Sequence, residues 1–112
     1  MYHAAAFKHV NLVEENVIEA ISNNFFGTLS CLNAAKEAKV NKFVLISTDK
    51  AVNPTSIMGA TKRMAEILVS SNFRENLKSN ILLTTIVRFG NVLRSKGSVI
   101  PTLEKQINQG GP

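Results

Sequence analysis

The pattern of apolar and polar positions divides the chain into two short apolar runs and two longer segments with helical periodicity. Residues 43–47 and 82–87 are compact apolar runs rich in β-branched side chains, a pattern typical of buried strands in a parallel sheet. Residues 17–38 and 56–74 repeat apolar side chains at three- and four-residue steps, which predicts amphipathic helices. The side chains that we expect these helices to bury are Ile18, Ile21, Phe25, Leu29 and Leu32 in the first helix, and Ala60, Met64, Ile67, Leu68 and Ser71 in the second.

Shorter segments complete this pattern. Residues 2–6 are typical of the end of a strand followed by small side chains, and residues 39–42 predict a turn. Two polar loops are expected at residues 74–80 and 94–97, and a short amphipathic helix at residues 99–109. A strand, a helix and a second strand at this spacing form a right-handed βαβ unit. We therefore predict an α/β protein with a parallel sheet and flanking helices.

Gly27 interrupts the first predicted helix, where glycine costs about 1 kcal/mol relative to alanine. Close packing of the helix on the sheet is the explanation that we favour for this glycine. Two interpretations of Asn24, in the same helix, remain open. Either its side chain simply packs there, or it holds a bend of the helix and a water molecule near an active site.

Polar side chains follow directly on the first predicted strand, as Thr48, Asp49 and Lys50. In open α/β sheets ligands bind beyond the carboxyl ends of the strands, so reactive groups are expected at this position. Asn53-Pro54 then breaks the chain, and Thr55 or Ser56 can cap the second helix. Met58 and Lys62 are four residues apart and therefore share one face of that helix. A hydroxyl, a carboxylate and two amines are thus expected to lie close together.

Composition excludes several classes of protein. With 112 residues, 45% apolar and 19% charged, the chain suits a single globular domain at most, and no apolar run reaches the length of a membrane span. The single Cys31 excludes an internal disulfide, and we expect no metal site. The net charge is +5, but the basic residues are dispersed, so we expect no nucleic-acid binding. A cytoplasmic location is the default expectation.

Five ordered blocks of the sequence carry a resemblance to a known family: HAAAFKHV, NNFFGT, STDKAVNPTSIMGATK, VRFGNV and GSVIP. They resemble the extended short-chain dehydrogenase/reductase superfamily, and most closely its nucleotide-sugar 4,6-dehydratases of the capsular polysaccharide-biosynthesis type. The resemblance implies a Rossmann-like parallel sheet, tightly bound NAD or NADP, and UDP-N-acetylglucosamine as substrate. It spans the whole chain, although the family's glycine-rich phosphate loop does not occur in it. We therefore expect residues 1–112 to be the central part of one larger domain, without its N-terminal glycine-rich βαβ unit and its C-terminal sugar-binding part.

The resemblance also implies roles for individual residues. Lys50 would remove the proton from carbon 5 of the hexose, Asp49 would protonate the leaving hydroxyl, and Thr48 would hydrogen-bond the oxygen on carbon 4. Lys62 would hold the nicotinamide ribose, and Met58 stands where most of the superfamily has a catalytic tyrosine. The other residues that it assigns are His3, Ala4, Ala5, Ala6 and Asn24 next to the cofactor, and Lys8, Arg88, Asn91 and Arg94 next to the substrate.

Three points stay open. Arg94 stands where the family has glycine, so it is either a loop residue of this chain alone or an additional phosphate contact. A methionine cannot exchange a proton, so the proton from carbon 4 has to pass through Thr48, Asp49 or Lys50, or a water. A related epimerase, a binding module without catalysis, and a truncated product without function are the alternative interpretations. We expect the complete enzyme to be a homo-oligomer, with membrane anchoring as a further option.

Overall fold

The computed structural model describes residues 1–76, 82–90, 92 and 99–110. In chain order its elements are β1 (Tyr2–His3), α1 (Val10–Glu15), α2 (Val17–Ile21), a π-helical turn (Ser22–Phe26), α3 (Gly27–Glu37), β2 (Lys42–Thr48), a 3-10 turn (Asp49–Ala51), α4 (Ile57–Asn76), β3 (Leu83–Phe89) and α5 (Val99–Asn108).

The three described strands form one parallel sheet in the order β1-β2-β3. The central strand β2 pairs with β1 at Tyr2↔Val44 and with β3 along its whole length, from Lys42↔Leu83 to Thr48↔Phe89. Two successive right-handed crossovers in the same direction place the intervening helices on the same face of a sheet. Because β2 and β3 are parallel, their carboxyl ends lie at the same edge of the sheet.

The main core lies between this face of the sheet and the helices α3 and α4. It is built from side chains of the two helices, of β2 and of the residue before β3, namely Leu32, Ala35, Phe43, Leu45, Ala65, Val69 and Leu82. A second cluster joins α1 and α2 to the start of α4 through Val13, Ala20 and Met58. The predicted α/β architecture with a parallel sheet is confirmed.

The first predicted helix differs from the expectation in two respects. It is preceded by α1, which the sequence pattern did not reveal, and a π-helical turn divides it between α2 and α3. The predicted apolar stripe was partly wrong, because Ile18 is 79% exposed while Asn24 and Thr28 are buried. A π-turn holds more residues per turn than an α-helix and so rotates the buried face after it. The buried line consequently runs through Ala20, Asn24, Thr28 and Leu32.

The predicted buried side of α4 was also partly wrong, although Leu68 does pack against the core. Met64 and Ile67 are 42% and 56% exposed, while Thr61 and Glu66 are buried with hydrogen-bond partners. Polar groups that have hydrogen-bond partners can be buried at little cost, so the polarity of a residue did not by itself identify the solvent-facing side of the helix. The helix extends to Asn76, beyond the predicted end at residue 74. Ser56 caps it, since its Oγ accepts a hydrogen bond of 3.1 Å from the Gly59 N–H.

The last two elements agree with expectation to within two residues at each end. β3 spans Leu83–Phe89 instead of residues 82–87, and α5 spans Val99–Asn108 instead of residues 99–109. The predicted loop at residues 94–97 lies outside the described residues. Within the part of the chain that the structure describes, no helix combines the length and the apolar character needed to cross a bilayer.

Candidate active site

Three polar residues form a connected group where β2 ends. The Thr48 hydroxyl donates a hydrogen bond of 2.9 Å to Asp49 Oδ1 and accepts one of 3.3 Å from the Lys50 backbone N–H. Lys50 Nζ lies 3.3 Å from the same Asp49 oxygen. This arrangement arises because the chain turns directly from an extended strand into a 3-10 turn capped by the Thr48 side chain. A hydroxyl, a carboxylate and an ammonium group therefore face solvent at one edge of the sheet.

The Asp49 carboxyl is ionised at neutral pH. Its pKa is lowered, first by the hydrogen bond from Thr48 and then by the one from Lys50, and the small desolvation that would raise it is outweighed. The side chain is 57% exposed, so solvent screens the neighbouring charges strongly. In the structure the Asp49 carboxylate accepts hydrogen bonds from Thr48 and Lys50.

Lys62 reaches the same region from α4, beneath the strand end. Its residue is 8% exposed and its Nζ donates a hydrogen bond of 2.8 Å to the backbone oxygen of Ile46. Burial lowers the pKa of this ammonium, and the negative charge of Glu66, one turn further along the helix, partly offsets that. An ammonium group carries three donors, so Lys62 can bind a ligand hydroxyl while still held on Ile46.

Gly59 allows the 3-10 turn and the start of α4 to approach closely, and Gly90 lies beside Asp49 at an ordinary contact distance. A Cβ on Gly59 would overlap the Lys50 carbonyl oxygen and lie 3.1 Å from the Pro54 Cβ. A Cβ on Gly90 would lie 3.8 Å from Asp49 Oδ2. The 3-10 turn, the start of α4 and the end of β3 therefore meet at Asp49 and Lys50, as the sequence predicted for these strand ends.

Asn24 connects the π-helical turn to the neighbouring segments. Its Oδ1 accepts a hydrogen bond of 2.8 Å from the Phe7 N–H, and its Nδ2 donates to the Phe7 oxygen at 3.2 Å and to Thr61 Oγ1 at 3.0 Å. The amide thus joins the segment after β1 to α4. The structure shows the predicted bend as a π-helical turn, while the placement of Asn24 next to a cofactor stays a prediction.

Gly27 follows this turn as the first residue of α3, and its predicted role was wrong. A Cβ there would meet only the Ser22 oxygen, at 3.8 Å, which is an ordinary contact. Close packing therefore does not require a glycine at this position.

His3 lies in the core and not at the strand edge. Its Nε2 is 3.0 Å from Thr28 Oγ1, whose own proton is donated to the Asn24 backbone oxygen at 2.7 Å, so Nε2 is the donor to Thr28. Burial, followed by the charge of Lys62, lowers the pKa of His3, which keeps the ring neutral. Its assignment to the cofactor stays a prediction, although the ring points into the space between β1 and α3.

Met58 is 4% exposed and packs with Val13 and Ala20. Its backbone oxygen accepts a hydrogen bond of 2.8 Å from Thr61 Oγ1. The structure therefore gives this side chain a packing role, and its assignment to the catalytic group stays a prediction.

Arg88 takes part in an ion pair that the sequence did not reveal. Its Nε and Nη2 donate to the two carboxylate oxygens of Glu66 at 2.8 and 2.7 Å, and Arg63 Nη1 adds a bond of 2.9 Å. The Arg88 hydrogen bond is the largest of the effects that lower the pKa of Glu66 to about 2. The only sequence signal was the four-residue spacing of Glu66 from Lys62, and a buried Glu cannot be recognised from that alone. The predicted substrate contact of Arg88 stays a prediction.

The remaining predicted site residues are placed as follows. Ala4 and Ala5 are exposed and Ala6 is half-buried in the segment after β1, and Lys8 is exposed further along it. Asn91 and Arg94 lie outside the described residues, so the structure does not test their predicted contacts.

Comparison with known proteins assigns the chain to a family. The profile of the polysaccharide biosynthesis protein family matches residues 1–112. The chain is 56% identical, over its whole length, to the capsular polysaccharide biosynthesis protein CapD of Staphylococcus aureus, of which it spans 18%. It is 52% identical to the probable polysaccharide biosynthesis protein EpsC of Bacillus subtilis, again over 18% of that protein. A UDP-glucose 4-epimerase of Rickettsia canadensis is 43% identical over 98% of the chain and 32% of the epimerase.

Solved structures agree with the observed fold. The X-ray structure of Pen from Bacillus thuringiensis superposes with a TM-score of 0.90 at 45% identity, over 96% of this chain and 33% of that one. The dTDP-glucose 4,6-dehydratase DesIV of Streptomyces venezuelae, solved as a double mutant with NAD, gives 0.80 at 22% identity, over 98% of this chain and 38% of that one, which shows the fold alone. The fold is a Rossmann-like α/β sheet, as predicted. Within that class, this chain belongs to the polysaccharide biosynthesis protein family and spans less than half of the proteins that it matches.

Proposed function

We propose that this chain supplies the catalytic edge of an NAD(P)-dependent enzyme that removes water from a UDP-sugar during polysaccharide biosynthesis. The observation that carries the proposal is the joined group of Thr48, Asp49 and Lys50 at the end of β2, with the buried Lys62 beneath it. The substrate that we propose is UDP-N-acetylglucosamine, and the product is its 4-keto-6-deoxy derivative.

The residues of the site fit a nicotinamide cofactor in chemical terms. Exposed and small side chains at Ala4 and Ala5 leave the backbone accessible next to β1, and the buried Lys62 ammonium retains donors for a ribose hydroxyl. Related solved proteins carry NAD in their structures, which supports a nicotinamide cofactor here. When bound, it would accept hydride from carbon 4 of the sugar and return it to carbon 6.

Each residue of the group then has a defined task. Thr48 holds the oxygen of carbon 4, whose oxidation to a ketone acidifies the hydrogen on carbon 5. The proton of the carbon 4 hydroxyl passes to the ionised Asp49, and Lys50 takes the proton from carbon 5 and returns it there as carbon 6 is reduced. Asp49 gives its proton to the hydroxyl that leaves carbon 6 as water. General acid and base groups of this kind each contribute roughly 10²–10⁴-fold to a rate.

Asp49 has to gain a proton before it can act as an acid. In the structure its pKa is lowered mainly by the bond from Thr48. A sugar that draws the Thr48 hydroxyl to its own oxygen removes this bond, and by covering the carboxyl it also increases desolvation. Both changes raise the pKa of Asp49 in the complex, in the direction that the acid role requires.

The experiment measures turnover of UDP-N-acetylglucosamine by the natural polypeptide that carries these residues, with mass spectrometry of the sugar nucleotide. We expect a product lighter by one water, and a loss of roughly 10²–10⁴-fold in kcat for Lys50→Ala without loss of folding. Lys42→Ala, an exposed lysine at the opposite end of β2, is the matched control in kcat. Near-normal turnover by Lys50→Ala would exclude Lys50 as the base.

A 4-epimerase is the second candidate, because Rickettsia UDP-glucose 4-epimerases share 41–43% identity with this chain. Epimerisation inverts carbon 4 without loss of atoms, so its product has the mass of the substrate. The same assay therefore separates the two reactions. We further propose a cytoplasmic site of action and a homo-oligomeric enzyme, to be tested by cell fractionation and light scattering.

A further inference from the structure

We propose that Glu66 and Arg88 form a positioning pair that holds Lys62 and the end of β3 in register with the Asp49–Lys50 group, and that Arg88 does not bind the substrate directly. This inference rests on the proposed function. It assigns to both residues a role that acts through other groups and involves no contact with the reactants.

The geometry of the pair is that of a rigid connection. Glu66 is 1% exposed, and both of its oxygens are bound by Arg88, at 2.8 and 2.7 Å. Two parallel bonds between a guanidinium and a carboxylate fix orientation as well as distance. The pair therefore joins α4 to β3 at one defined separation.

The direction of the Arg88 side chain supports this role. In the sheet register Arg88 is paired with Ser47, and the side chains of such a parallel pair point to the same face. Ser47 Oγ is buried and, among the described residues, has no hydrogen bond of ordinary geometry, yet it is close enough to contribute to the low pKa of Glu66. Both side chains thus point to the helix face, and the guanidinium is directed at α4.

The pair is linked to the reactive group from two sides. Lys62 lies one turn before Glu66 on α4 and is held on Ile46 of β2. Gly90 lies two residues after Arg88 and is next to Asp49 Oδ2. A shift of α4 against β3 would therefore move Lys62 and Gly90 relative to Asp49. Misplacement of reacting groups by about 1 Å costs about 10²-fold in rate.

The charge of Glu66 has a second effect, on Lys62. The described ionisable groups that interact electrostatically with Lys62 are His3 on β1 and Glu66 on α4, and Glu66 is in turn bound by Arg63 and Arg88. Among these, Glu66 is the group that raises the pKa of Lys62 against desolvation. Without the negative charge of Glu66, the pKa of Lys62 is lower and its ammonium group loses its proton at lower pH.

The test uses a double-mutant cycle of Glu66→Gln and Arg88→Gln in the natural polypeptide, with kcat, KM, cofactor affinity and the melting temperature as readouts. We expect each single variant to lower kcat about 10²-fold with less than about a threefold change in KM, and the double variant to lower kcat by the same factor as the poorer single variant. Arg63→Gln is the matched control, because Arg63 makes a single bond to Glu66 and is 48% exposed. For Glu66→Gln we expect the pH above which kcat declines to be lower than in the wild-type protein.

Several results would overturn the proposal. A tenfold rise in KM for the UDP-sugar in Arg88→Lys, which keeps the charge, would make Arg88 a substrate ligand. Additive losses in the cycle, or normal kcat in the double variant, would show that the pair does not act as a unit. If a single variant fails to fold, the kcat of the double variant, which has no charge at either position, is used to test the proposal instead. An inactive wild-type protein would overturn the proposed function. The double-mutant cycle, measured by melting temperature, would still show whether the two residues are coupled.

Discussion

At the scale of single residues, the site depends on small side chains as much as on reactive ones. Gly59 is the clearest example, since the Lys50 carbonyl occupies the space that any Cβ would need. Gly27 provides the contrast, because it is helical, with φ −61° and ψ −41°, and has room for a methyl group. Two glycines that look alike in the sequence therefore differ in whether the structure can accommodate an added side chain.

This contrast gives a prediction for a matched pair of variants. Gly27→Ala should raise the free energy of unfolding by up to about 1 kcal/mol, because alanine loses less backbone entropy in a helix. Gly59→Ala should lower it by about 1–3 kcal/mol through overpacking, and should lower kcat because the Asp49–Lys50 turn is displaced. Urea unfolding and steady-state kinetics check both. Equal effects of the two substitutions would contradict the packing described at Gly59.

At the scale of elements, buried polar contacts decide how the helices fit the sheet. The π-helical turn presents Asn24 to the Phe7 backbone and to Thr61, and His3 binds Thr28 one turn later. π-Turns occur frequently at functional sites, and here the turn supports the helix that carries Lys62. Glu14 of α1 adds a contact of 2.7 Å to the Ile57 N–H at the start of α4.

The Asn24 contacts lead to a second prediction. Asn24→Ala removes the partners of the Phe7 N–H and oxygen and of Thr61, so the free energy of unfolding should fall by about 1–3 kcal/mol. Asn23→Ala in the same turn is the control, because the described contact of Asn23 is a single bond of 3.2 Å to Asn24 Oδ1. Chemical unfolding of both variants provides the comparison. A loss in Asn23→Ala as large as that in Asn24→Ala would refute a special role of the Asn24 amide.

At the scale of the whole molecule, many apolar side chains of the described residues lie at the surface. Tyr2, Ile18 and Ile107 are 80%, 79% and 74% exposed. The radius of gyration is 16.6 Å, compared with about 13 Å for a compact chain of this length. Exposed apolar area of this kind favours association with other surfaces.

A third prediction concerns the 112-residue chain produced alone. We expect it to self-associate, and the double variant Ile18→Lys/Ile67→Lys to do so less, as measured by light scattering after gel filtration. We also expect no low-micromolar binding of NAD+ or NADP+ in calorimetry, because tight dinucleotide binding uses backbone N–H groups after a glycine-rich turn, and the six glycines of the chain do not form one. A monomer with tight binding and a cooperative melt would contradict both expectations.

The sequence by itself determined the strand, turn and helix around residues 43–62, because a β-branched run, a proline break and a capping serine are local signals. It also determined the family, through blocks whose order and spacing are independent of any contact. Only the tertiary structure decided which faces of α2, α3 and α4 are buried, because hydrogen-bond partners distant in the chain offset the desolvation cost of burying Asn24, Thr61 and Glu66, while Ile18 and Ile67 are left exposed. The Glu66–Arg88 pair was likewise decided by the tertiary structure, because 22 residues separate its members and the packing of α4 on β3 brings them together.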